Sequence, residues 1–191
     1  SALVVKDRDL SGALAMLARP PALVVTDSQA FAQVAQDTPA SVPLTSFSIL
    51  FARFQGDLAS FVEGALAIGS LRAGDRVLVA EACTHHPIQD DIGTVKIPRW
   101  LTRSVGAELA FSFTRGRDLP ADLAAFKLVI HCGACMWNRR EMLARQEQCR
   151  AAGVPVTNYG LAIAHSLGIF ERALGPFPEA LALYRAARPR A

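Results

Sequence analysis

The chain has 191 residues, enough for one ordinary domain or two small ones with a sizeable core. Hydrophobic residues make up 51% and charged ones 19%, which excludes disorder, and a net charge of +3 with no Lys/Arg block or interleaved aromatic stripe argues against nucleic acid. No apolar run reaches membrane-spanning length and the first residues form no signal series, so the expectation is a soluble, cytoplasmic protein with no membrane partner.

Leu3-Val4-Val5 reads as a strand, and residues 9–18 as a helix for which Asp9 is a plausible N-cap. Pro20-Pro21 breaks the chain before a second buried strand at 22–25. Asp27 or Ser28 can cap the next helix, 29–36. The stretch 44–54 is ambiguous between strand and helix, because its apolar residues show no clean period. Residues 57–71 form a clearer helix, with Leu58, Phe61, Val62, Ala65 and Leu66 at helical spacing. Gly74-Asp75 marks a turn and the expected domain boundary. Beyond it come a strand at 77–80, a helix near 98–105, and strands at 108–113 and 128–130. A helix at 138–152 opens with Asn138 and Glu141 at capping-box spacing. Gly153-Val154-Pro155 closes it, a short strand follows at 156–157, then an apolar helix at 161–174 and a last helix from Pro178. Strands alternating with helices predict an α/β fold: two small α/β units with mostly parallel sheets, 1–71 and 72–191.

Two stretches carry the chemistry: Cys83-Thr84-His85-His86 and His131-Cys132-Gly133-Ala134-Cys135. They hold three of the four cysteines and three of the four histidines. Each follows an apolar, β-prone run, so as parallel strands both would deliver their thiols to one carboxyl edge of a sheet, where open α/β folds place ligands. Cysteines adjacent to or one step from histidines suggest metal or redox chemistry in a reducing compartment. A Cys-x-x-Cys loop alone is shared by zinc sites, iron–sulfur sites and redox dithiols; Cys83 from a second strand end favours a shared metal centre. The bland reading makes Cys83 a buried core thiol and Cys132/Cys135 an incidental pair. Zinc would want Cys83, Cys132, Cys135 and one histidine. A [4Fe–4S] cubane would leave one iron to a weaker or exchangeable ligand. Arithmetic does not separate the two.

A thioredoxin-like dithiol has no use for a third cysteine, and a zinc deaminase would need a His-x-Glu that this chain lacks. For His85, His86 and His131, direct ligation and a role behind the ligands stand equal. Cys149 reads as a packed or surface thiol, His165 as a core or surface residue, and Arg139 and Arg140 as a solvated helix face. Asp90-Asp91-Ile92-Gly93 imitates a GTPase Asp-x-x-Gly element, but no Gly-x-x-x-x-Gly-Lys-[Ser/Thr] loop accompanies it. The chain starts at Ser1 without a methionine, as expected of a processed chain or a piece of a longer one.

Longer segments around these motifs resemble a known family. Glu81 to Ile88 with Asp91-Ile92-Gly93, His131 to Met136, and Thr157-Asn158-Tyr159-Gly160 resemble the [FeFe]-hydrogenase maturation factor HydF, as do Thr26 to Phe31 and Pro43 to Ser48. The likeness covers nearly the whole chain. That family has an N-terminal GTPase, a dimerisation domain and a cluster-binding domain linked to tetramer formation, and this chain resembles only the last two. The resemblance implies 1–71 as the dimerisation domain and 72–191 as the cluster-binding, tetramerisation domain. It implies a [4Fe–4S] cluster on Cys83, Cys132 and Cys135, with His85 and His131 as motif histidines and candidate metal ligands. The implied role is a non-enzymatic, homo-oligomeric (dimer or tetramer) scaffold that holds a diiron precursor made with radical-SAM maturases and passes it to the hydrogenase. The alternatives are a zinc-stabilised oligomeric interaction module, with Zn in place of the cluster, and an oligomerisation fragment whose cysteines are incidental.

Overall fold

The computed structural model of the chain describes residues 2–82 and 91–187. The first strand pair is parallel: β1, Val24–Thr26, runs beside β2, Leu44–Ser46, with Val24 opposite Leu44 and Thr26 opposite Ser46. Helix α1, Leu10–Met16, precedes the pair and α2, Phe31–Asp37, connects it. Asp9 occupies the N-cap position of α1 without a side-chain capping bond. The Asp27 carboxylate accepts the amides of Gln29 and Ala30, turning the chain towards α2. The ambiguous stretch after Pro43 is both things in succession: strand β2, then helix α3, Phe47–Gln55. Ser46 is the joint, the last residue of the strand and the N-cap whose Oγ accepts from the Ile49 amide.

Leu3-Val4-Val5 is not a strand. It has no regular structure and its side chains are exposed, Val4 at 92%. β-propensity alone does not make a strand, which needs a neighbour for its backbone donors and acceptors; among the described residues β1 pairs only with β2.

The larger sheet has four parallel strands in the order β4-β3-β5-β6: β3 is Arg76–Glu81, β4 Ala110–Arg115, β5 Leu128–His131 and β6 Val156–Asn158. Val77 to Ala80 and Leu128 to Ile130 are fully buried, which is why both read as continuous apolar runs. The chain goes from β3 outward to β4 and then returns to the opposite side of β3 as β5. The strand order therefore reverses between β3 and β5, the switch point at which such sheets leave a crevice at their carboxyl ends.

Helix α4, Leu58–Leu66, links the two sheets, with Asp57 as its N-cap. A π-helical turn, Ile92–Lys96, leads into α5, Ile97–Val105. Helix α6, Arg139–Ala151, carries the expected capping box of Asn138 and Glu141. The expected helix over 161–174 is two: α7, Tyr159–Ser166, and α8, Phe170–Leu174, parted at Gly168, whose φ of 72° suits a residue without a side chain. Helix α9, Pro178–Ala187, follows and packs on α4.

One apolar core runs from Leu10 to Ala180 through both parts of the chain. Helix α4, which the sequence groups with the first unit, packs on β6. A Cβ on Gly64 would lie 2.0 Å from the Val156 carbonyl oxygen, so helix and strand backbones are in direct contact there. Thr157 adds a hydrogen bond from Oγ1 to the Phe61 carbonyl at 2.8 Å. Gly64→Ala is expected to lower the unfolding free energy by about 3 kcal/mol, the upper range for overpacking. Gly69→Ala, which meets nothing within 4 Å, should change it by less than about 0.5 kcal/mol. Urea unfolding of the two variants checks this; equal stability would show that α4 does not approach β6 so closely.

Candidate metal centre

The two inner strands of the large sheet set the site. Ala80 stands opposite His131, and the Cys132 amide donates to the Ala80 carbonyl at 2.9 Å, so the ladder continues to the very start of the cysteine loop. One step on, the Ala82 amide donates to the Cys132 sulfur at 3.1 Å. Such a bond stabilises negative charge on sulfur. Cys132 is half-buried and Cys135 exposed. Between them Ala134 adopts a left-handed conformation, φ 49°, the one described non-glycine residue with positive φ, and its carbonyl accepts from the Trp137 amide. The expected third thiol, Cys83, together with His85 and His86, lies outside the described residues. Among the described residues no group of three or more His, Cys, Asp or Glu is placed to hold a metal ion.

The loop is braced from the first unit. Gln55 at the end of α3 donates from Nε2 to the Trp137 carbonyl at 2.9 Å, and Arg139 donates from Nη1 to the carbonyls of Gly56 and Phe54. Arg139 and Arg140 are both exposed, as expected of a solvated face, and Arg139 is in addition a tie between elements. A cleft of about 400 Å³ runs past the loop, lined among the described residues by Asp27, Ser28, Gln29, Phe47, Ser48, Phe51, Ile92, Gly133 and Tyr159.

His131 is fully buried at the end of β5. Its Nδ1 is 2.8 Å from the Cys132 carbonyl oxygen and its Nε2 is 3.2 Å from Nη1 of Arg145. Burial pushes the imidazolium down to about 4, only partly opposed by the bond to the Cys132 carbonyl, so the ring is neutral at neutral pH. Arg145 is itself 2% exposed. Its Nη2 donates to the carbonyls of Gly116 and Arg117, and its guanidinium lies 4.6 Å from the centre of the Trp137 ring. Cys149 is buried beside it on α6, and burial raises its thiol to about 11, with the Arg145 charge opposing.

A second buried network anchors the end of β3. Glu81, 4% exposed, takes Nε of Arg115 at 2.8 Å and the Tyr159 hydroxyl at 3.3 Å. Burial, then the Glu81 charge, holds the Tyr159 phenol far above its usual range. A Cβ on Gly93 would lie 2.2 Å from that hydroxyl, so the π-helical turn packs directly on the pair. Arg145, Glu81 and Tyr159 were not singled out as site residues in the sequence. A signal existed for Arg145: Met142, Arg145, Gln146 and Cys149 fall at helical spacing and share the buried face of α6. His165, read as core or surface, lies half-buried against the Phe170 ring, and burial lowers its imidazolium.

Fold and site define an α/β protein with a cysteine loop at the switch point of a parallel sheet and a second, smaller α/β unit braced against that loop. The family model described as the Hydrogen maturase F tetramerization domain matches residues 59–176, and that described as the Hydrogen maturase F dimerization domain matches residues 1–56. The chain belongs to the hydrogen maturase F family, through its two oligomerisation domains, which are not catalytic. It is a homo-oligomerising protein with a role in hydrogenase maturation. No curated protein matches the chain.

Ala134 gives a direct test of the loop geometry. A left-handed conformation costs an L-residue about 1–2 kcal/mol, and glycine gives back part of that gain in chain entropy. Ala134→Gly is therefore expected to raise the stability of the metal-free chain by about 0.5–1 kcal/mol in denaturant unfolding. A loss of stability would mean that the loop is not left-handed there.

Proposed function

We propose that the chain is a scaffold and carrier in [FeFe]-hydrogenase maturation, which binds a [4Fe–4S] cluster through Cys83, Cys132 and Cys135. It holds a diiron precursor, its cargo, for delivery to the hydrogenase, and takes that cargo from partner radical-SAM maturases. The observation that supports this best is the Ala82 amide on the Cys132 sulfur, 3.1 Å away. Cys83 follows Ala82 directly in the chain, so the thiol of one strand end is covalently next to a residue already touching the thiol of the other. The donor set fits: soft sulfur ligands suit an iron–sulfur cluster or zinc. A cubane held by three thiolates supplies one iron with a position open to an exchangeable ligand, and His85 remains a candidate for that position. A carrier needs such a position, whereas a structural zinc site closes its shell. The matched dimerisation domain carries exposed apolar residues, among them Leu3, Val4, Met16 and Leu23, as expected of a surface that a second copy covers.

Anaerobic reconstitution with iron and sulfide, followed by iron, sulfide and zinc analysis, tests the proposal. Wild-type protein is expected to take up a [4Fe–4S] cluster, and Cys83→Ala, Cys132→Ala or Cys135→Ala to lose or badly destabilise it, since each removes a thiolate from an iron. Zinc at one per chain with no iron or sulfide would favour the zinc-stabilised module instead. No metal of either kind, or cysteine variants with a normal cluster, would overturn the assignment.

A further inference from the structure

Arg145 is a cation buried in an unusual place. It lies under the cysteine loop with 2% of its surface exposed, and among the described residues no carboxylate is within ion-pair distance of it, the Asp118 charge acting on it from further off. A buried charge with no counter-ion is costly unless hydrogen bonds and a nearby opposite charge offset it. Two backbone carbonyls and the Trp137 face supply part of that offset. Among its other donors, Nη1 points at Nε2 of His131.

The chemistry of the two partners fixes the state of the ring. A guanidinium has donors only, so Nε2 of His131 must accept and carries no proton. The Cys132 carbonyl accepts only, so Nδ1 must donate and carries the ring's single proton. The imidazole is thus neutral and in the Nδ1–H form, and its one nitrogen lone pair is already directed at Arg145. A metal ion needs that same lone pair. Meanwhile the Nδ1 donor holds the Cys132 carbonyl, the Cys132 amide holds Ala80, and the Cys132 sulfur holds the Ala82 amide. The peptide and the thiol of Cys132 are therefore pinned from three sides.

We infer that His131 is a positioning residue and not a metal ligand: locked by Arg145, it orients Cys132, while Arg145 is the buried counter-charge for the thiolates above it. The electrostatic half of this inference rests on the cluster proposed for Cys83, Cys132 and Cys135. The half that concerns His131 stands on the hydrogen bonds of its own ring.

The experiment has two arms on the full chain. In the first, nitrogen NMR of the metal-free protein labelled at histidine reads the His131 tautomer; the expected result is a protonated Nδ1 and a bare Nε2. A protonated Nε2 overturns the inference, and this arm needs neither iron nor a variant. In the second, the chain is reconstituted with iron and sulfide, reduced with dithionite and examined by pulsed EPR. His131→Gln, which keeps an acceptor for Arg145, should leave the nitrogen couplings of the reduced cluster unchanged; loss of a coupling would make His131 a ligand and overturn the inference. Arg145→Met should shift the cluster's reduction potential downwards and lower the chelator concentration that strips half the cluster about tenfold or more. Arg145→Lys should recover most of the potential, and an unmoved potential in Arg145→Met would remove the counter-charge role. If wild-type protein takes up no iron and sulfide, the proposed cluster and the counter-charge role fall with it, and the tautomer measurement still decides the place of His131.

Discussion

The pairing of β3 with β5 is the constraint on which the rest of the structure depends. Val77 to Ala80 lie opposite Leu128 to His131 in parallel register, all fully buried. Parallel pairing sends both strands out of the same edge, and strand order β4-β3-β5-β6 puts the reversal of the chain between these two. A one-residue slip would turn every side chain of β5 to the opposite face. It would also take His131 away from Arg145 and Cys132 away from Ala82. The apolar contacts that hold the register therefore also hold the sulfur against the Ala82 amide.

The same edge is where the two oligomerisation domains meet. Ser48 of α3 accepts the Gly160 amide at 3.0 Å, and the Asn158 side chain donates to the Ser48 carbonyl at 2.7 Å, so the start of α7 is tied to the start of α3. A Cβ on Gly160 would lie 2.8 Å from the Ser48 Cβ, which leaves no room for movement between them. Gln55 and Arg139 tie the end of α3 to the far side of the cysteine loop. Helix α3 thus touches the site at both its ends. The dimerisation domain is joined to the loop by a helix and direct hydrogen bonds.

Much of this arrangement was legible in the sequence, for local reasons. The two inner strands announced themselves as short apolar runs, the capping box of α6 as a spacing, and the turn at Gly74-Asp75 as a composition; Gly74 has a φ of 82°. The shared carboxyl edge of the two inner strands followed from placing both runs in one parallel sheet; the first cysteine loop itself lies outside the described residues. What escaped depended on distant partners. Leu3-Val4-Val5 has strand propensity but no strand beside it. Helix α4 belongs by sequence order with the first unit, yet packs on β6 through Gly64, whose need is set by a carbonyl about ninety residues away. An arginine in a polar helix reads as solvated, and only tertiary packing shows Arg145 to be buried against His131. Neither His131 nitrogen could be assigned without that neighbour.

The central claim is that thiols from two strand ends converge on one iron–sulfur centre. Mössbauer spectroscopy of the chain reconstituted anaerobically with ⁵⁷Fe and sulfide tests it most directly. The account predicts the signature of a [4Fe–4S] cubane, with one iron site distinguishable from the rest when an exogenous ligand is added, and loss of that signature in Cys83→Ala. A spectrum of isolated ferrous or ferric ions, or a cubane that persists in Cys83→Ala, would contradict it.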